Sequence, residues 1–185
     1  MNSLVAALLI CGTFVVPSRA LEVKGVAVPA SAEVSGKKLA LNGAGTRRKV
    51  VFNVYVGALY LEEQSADGAA IIRQDKTRRM ELRFLRNVDS AAISEAIEKG
   101  FAKNAADTLP ALKARLADFR KLIPDLRKGD KLALTYATGQ GLAVECNGKP
   151  AGNIPGKDFS DALFAVWLGD DPADNSLKTA LLSRK

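Results

Sequence analysis

The chain has 185 residues, with 27 lysines and arginines against 20 aspartates and glutamates, a net charge of +7 and no histidine. Without an imidazole there is no histidine general base, no serine–histidine or cysteine–histidine nucleophile and no histidine-containing zinc site. The basic residues are dispersed, with no long run and no nucleic-acid-binding signature, so the excess charge reads as a solvated surface and not as a nucleic-acid footprint.

Residues 1–20 combine an apolar run, Leu4 to Val16, with Pro17 and then Ser18-Arg19-Ala20, a small-residue cleavage pattern. The run falls short of the roughly 20 residues a membrane span needs. The segment is therefore expected to be a secretory signal peptide cleaved after Ala20, which makes the mature protein periplasmic or secreted. Residues 21–185 are then one domain with no transmembrane span, and Cys146 is its only cysteine, so no intrachain disulfide can form.

Leu21 to Pro29 alternates and is expected to be an edge strand that Pro29 ends. After a turn at Ser35-Gly36, a second strand starts at Lys38 and runs to Asn42. Gly43-Ala44-Gly45 is expected to permit a tight turn or a close backbone approach, with Arg47 and Arg48 just beyond it. The long strand Val50–Leu61 organises the fold. Its even positions Val50, Phe52, Val54, Val56, Ala58 and Tyr60 form one apolar face, and its odd positions are apolar except for Asn53 and Tyr55. That pattern fits a strand buried on both sides.

A short helix over Ala66–Arg73 and a strand over Arg78–Arg86 follow, the strand carrying Met80, Leu82, Phe84 and Arg86 on one face. Asp89–Asn104 reads as a helix with Ile93, Ile97 and Phe101 on one stripe, and Asp107–Ile123 as a second helix, charged on its outer face and stopped by Pro124. Thr138-Gly139-Gln140-Gly141 and Asn147-Gly148 are hairpin signals joining strands at Asp130–Ala137, Gly141–Cys146 and Lys149–Ile154. Asp158–Leu168 is expected to be the most buried helix, and Asp174 or Asn175 can cap a last helix through Leu182. Strands, helices, strands, helices in that order predict an α+β fold: an antiparallel sheet with helices on one side.

The motifs LNGAGTR, VYVGALYLE, the KGDKL and GLAVECNGK hairpins and GKDFSDALFAVWLG resemble, in this order, the chalcone isomerase-like family in its exported bacterial branch. The resemblance spans about Val23 to Leu182. It implies an open-faced sandwich, a large antiparallel sheet covered on one face by a layer of helices, with a ligand cleft between the layers. Plant members cyclise a chalcone with a set of polar groups in that cleft. The family arginine falls on Arg47, a threonine on Tyr55, a helical tyrosine on Ile93, an asparagine on Gly100 and a second threonine on Val166. Ile93, Gly100 and Val166 cannot donate hydrogen bonds from side chains to a developing oxyanion, which argues against the plant reaction.

What the resemblance leaves is an apolar groove bounded by Val54, Ile93, Ile97, Val166 and Trp167, with Arg47 and Tyr55 at one end. That suits a small apolar or amphipathic anion, and non-catalytic members of the wider family bind fatty acids. The reading is thus an exported, monomeric, non-catalytic binding protein without a cofactor or metal. The alternatives are an intramolecular lyase acting through Arg47 on another substrate, and a structural protein whose cleft is filled by its own side chains. Arg47 either anchors a ligand or pairs with a carboxylate or backbone carbonyls; Tyr55 either meets the ligand or satisfies its hydroxyl in the core. Cys146 is expected to be a buried, inert thiol.

Overall fold

The computed structural model describes residues 20–184; the expected signal peptide, apart from Ala20, lies outside them. Seven strands form one antiparallel sheet in sequence order: β3 (Ser31–Val34), β4 (Lys37–Lys49), β5 (Phe52–Leu61), β6 (Arg78–Phe84), β7 (Lys131–Ala137), β8 (Gly141–Cys146) and β9 (Lys149–Ile154). α1 (Gly68–Arg73) joins β5 to β6, α2 (Ser90–Asn104) and α3 (Leu109–Lys121) join β6 to β7, and α4 (Lys157–Leu168) and α5 (Asn175–Leu181) follow β9. This large sheet and the helices agree with the α+β reading.

Period-two alternation decides what faces the helices. Tyr55, Leu59 and Leu61 of β5, Met80, Leu82 and Phe84 of β6, and Leu132, Leu134 and Tyr136 of β7 join the main core with the inner faces of α2, α3 and α4. α4 is the centre of the helical layer, buried continuously from Ala162 to Leu168. α3 is tied to its first turn by a bidentate pair, Arg115 to Asp158, at 2.7 and 2.6 Å.

The opposite face of β4 and β5 makes a second, smaller core of Leu39, Leu41, Ala44, Val56, Ala58 and Tyr60. Here the structure corrects the expected edge strand. Leu21 to Pro29 folds as its own hairpin, β1 (Leu21–Val23) and β2 (Val26–Val28), around Lys24-Gly25, and covers this face with Leu21, Val23, Val26 and Val28. Both central residues of that turn have positive φ, 50° and 75°, which glycine tolerates and the alternation pattern alone does not reveal.

At Gly43-Ala44-Gly45 the structure decides between the two expected uses: there is no tight turn, and the close backbone approach holds. These residues lie inside the thirteen-residue strand β4, paired with Leu59, Ala58 and Gly57. The glycines serve close approach: a Cβ on Gly43 would sit 2.2 Å from the Ala180 carbonyl oxygen, and one on Gly45 would sit 2.5 Å from Ala180 Cβ. α5 therefore lies almost against the strand backbone. Asn42, fully buried, locks it there by donating to Leu181 O at 2.8 Å and Ser65 O at 2.9 Å while accepting from Ser65 N. The chain reverses at Val50-Val51, so Val50, Val51 and Phe52, expected within the buried strand, stand exposed at a hairpin tip.

Candidate functional site

Arg47 and Tyr55 are cross-strand partners on β4 and β5, but the next pair is Arg48 with Asn53, so β5 carries one extra residue, Val54. This β-bulge changes the local alternation. Val54, which by parity belongs with Val56 on the far face, instead packs on the main core and lines a cavity beside Tyr55. The cavity, of about 120 Å³, lies between β5–β7 and helices α2, α3 and α4. Arg47, Val54, Tyr55, Ile93, Ile97, Val166 and Trp167 all line it, so the structure brings together every residue expected at the site. Leu82, Phe84, Phe119, Leu132, Leu134, Ala92 and Ala96 complete the wall. The sheet residues among these share the inward parity, and Ala92 and Ala96 sit beside Ile93 and Ile97 on α2, so each was recoverable from periodicity.

Polar groups gather at one end. Trp167 Nε1 donates to Tyr55 Oη at 2.8 Å, and both side chains are nearly inaccessible. The phenol accepts this bond; its own proton has no acceptor among the described residues. Burial raises the Tyr55 pKa, and the Arg47 charge opposes that rise only in part, so the hydroxyl stays protonated and able to donate. Arg47 donates one N–H to Ala173 O at 2.8 Å, in the loop between α4 and α5, and among the described residues no carboxylate lies within ion-pairing distance of it. Of the two sequence readings of Arg47, the backbone-carbonyl pairing is seen: one arm of the guanidinium is spent on Ala173 O, while no carboxylate among the described residues forms an ion pair with it.

A second space of about 220 Å³ adjoins the chamber and shares Arg47, Lys49, Ala92, Ala96 and Ala173 with it. Its remaining walls carry Lys99, Lys103, Glu95, Gly100 and Pro172, so the apolar chamber opens through a basic vestibule. Lys49, two residues beyond Arg47 on the same face, was missed by the sequence reading although the period of two marks it. Gly100 is explained by α4: a Cβ there would meet both Val166 methyls at 2.7 Å. Gly100 and Val166 thus form one fitted pair, and Val166 occupies the space that a larger side chain at position 100 would need.

A different arginine is the most buried cation of the fold. Arg78, 1% exposed, shares the inward parity of Met80, Leu82 and Phe84. It is pinned by Asp161 at 2.5 Å, by the Ile71 and Gln74 carbonyls, and by the rings of Tyr136 and Phe164 at 4.6 and 4.8 Å. So engaged, it is a structural post. Cys146, expected to be buried, is only half-buried, and its pKa is raised chiefly by burial.

A curved antiparallel sheet with helices on one face, enclosing an oily chamber that ends in an arginine and a buried phenol, defines a sheet-and-helix sandwich with an internal ligand-sized space. The chain belongs to the chalcone isomerase-like family, whose pattern matches residues 20–183. The fold is similar to that of a solved fatty-acid binding protein of Arabidopsis thaliana, with a TM-score of 0.69 and 18% identity over 85% of this chain and 92% of that one. A comparison with curated proteins finds no match.

Proposed function

We propose that this protein is a non-catalytic carrier of a fatty-acid-like anion, exported from the cell after cleavage near Ala20. The observation that carries the reading is the unpaired Arg47 charge beside the undonated Tyr55 proton, at the one polar end of an otherwise apolar chamber. A carboxylate there receives N–H bonds from the guanidinium and an O–H bond from the phenol, and its alkyl tail is buried among Ile93, Ile97, Phe84 and Leu134. The Arabidopsis protein with a similar fold is named for fatty-acid binding, which supports the reading.

The chamber sets a size condition. About 120 Å³ is slightly less than the roughly 150 Å³ apolar cavity that takes one benzene ring. A short tail fits as the walls stand; a longer one requires α2, with Ile93 and Ile97, to ride outward. An isomerase would need further donors aimed at the reacting atoms, and Ile93, Gly100 and Val166 supply none, so binding without turnover is the better use of this site.

Native mass spectrometry of protein recovered from its producing cells tests the reading. The expected result is co-purifying lipid, with straight-chain acids raising the melting temperature. An empty protein whose melting temperature no fatty acid moves would overturn it. N-terminal sequencing of the same material, expected to begin at Leu21, tests the export.

A further inference from the structure

The turn joining β4 to β5 departs from the chain's other tight hairpin turns. Lys24-Gly25, Ser35-Gly36 and Asn147-Gly148 each place glycine second, with positive φ throughout. The β4–β5 turn instead has Val50 with φ 57°, followed by Val51. A β-branched residue in the left-handed region is a strained choice, and strain of this kind is kept where something other than folding requires the side chain. Val50, Val51 and Phe52 are 86%, 70% and 56% exposed and are the exposed large hydrophobics among the described residues.

Cations surround this tip. Arg48 and Lys49 precede it, and the Arg86 guanidinium lies 4.7 Å from the Phe52 ring centre. None of these three, nor Arg47, has an ion-pair partner among the described residues. The acids at this rim are Glu95, already paired with Lys99, and Asp174, which accepts from the Arg48 N–H and caps α5. Lys49 and Arg47 also line the chamber and its vestibule, so the tip stands at the opening.

We propose that the β4–β5 tip docks the protein on an anionic phospholipid bilayer, with Val50, Val51 and Phe52 entering the acyl boundary and Arg48, Lys49 and Arg86 meeting the phosphates. An apolar edge inside a basic collar is the arrangement that such an interface holds. A protein partner is the poorer fit, because a stable interface covers roughly 800 Å² per side and a three-residue convex tip presents far less. Docking stands apart from the fatty-acid reading; that reading adds only that the opening then faces the membrane from which a guest arrives.

Co-sedimentation with phosphatidylcholine vesicles, with and without phosphatidylglycerol, tests it on protein recovered from its producing cells. The protein is expected to follow only the anionic vesicles and to be released by salt. Val50→Gly/Val51→Ser/Phe52→Ser, which suits the turn better, should melt no lower than the parent yet bind about tenfold or more weakly. Arg48→Gln and Arg86→Gln should each weaken binding about fivefold. Phe52→Trp should give a blue-shifted emission on anionic vesicles, over the constant signal of buried Trp167. No sedimentation, equal binding by the tip variant, or no Phe52→Trp shift would each overturn the proposal. Displacement of a fluorescent fatty acid from the parent without vesicles separates the two readings: no sedimentation of a parent that binds the fatty acid refutes docking alone, and sedimentation of a parent that does not bind it refutes only the carrier.

Discussion

Replacing Arg47 by leucine is the sharpest test of the chamber's polar end. Arg47 spends one N–H on Ala173 O, leaving the rest of its fork and its whole charge for a guest. A charge-assisted bond to a carboxylate contributes about 1.5–3 kcal/mol. Because Arg47 is only half-buried, water screens part of this, so about 2 kcal/mol is expected, or roughly 30-fold in affinity. The assay is displacement of a fluorescent fatty acid in dilute buffer, repeated at higher salt, where the parent's advantage should shrink. Losing the Ala173 bond slackens the α4–α5 loop, so the ligand-free melting temperature is measured alongside, and Arg47→Lys, which keeps the charge but not the fork, should fall between. If Arg47→Leu binds within about threefold of the parent, the guest's head does not meet this residue and the site assignment is wrong.

Gly100→Ala drives a methyl into Val166 at 2.7 Å and should cost about 1–3 kcal/mol by urea unfolding, with Val166→Ala in the same chain recovering most of it. Asp161→Asn removes the ion-pair partner of the buried Arg78 and should cost about 3 kcal/mol. Arg78→Met should cost less, because Asp161 keeps Lys157 at 2.5 Å; the reverse order would refute the account. Hydrogen bonds from Thr77 N and Lys37 hold the Glu62 pKa down at about 2. A depressed carboxyl stabilises the fold above its unfolded value and loses that contribution as pH falls through the folded one, so Glu62→Gln should cost about 1 kcal/mol at neutral pH, after allowance for screening, and almost nothing near pH 2.

Strand periodicity and helix stripes made most of this molecule readable, because the core is built from repeating contacts: Ile93, Ile97 and Phe101 had to share a face, as did Met80, Leu82 and Phe84. What escaped depended on partners distant in sequence. Gly43 and Gly45 leave a tight turn and a close backbone approach both open until α5 is brought against them. Val54 is placed at the groove by the family resemblance, while alternation alone puts it on the far face, because a bulge of one residue leaves no mark on alternation. Val50 and Val51 read as strand because apolar β-branched residues belong in strands, and only the pairing of Lys49 with Phe52 shows that the chain turns there. Whether Arg47 has an ion-pair partner was also out of reach, since that rests on which carboxylates the tertiary fold brings near.

The seven-stranded meander also bears on the order in which the chain is completed. Each strand adds to the one made just before it, so much of the sheet can assemble locally as the polypeptide emerges. Contacts from the last helices are exceptions, the farthest in sequence being that between Asn42 and the Leu181 carbonyl, 139 positions apart. Until α5 has been synthesised and delivered, the glycine-bearing face of β4 lies bare. A newly made chain is therefore vulnerable to proteases on that face until α5 arrives and seals it.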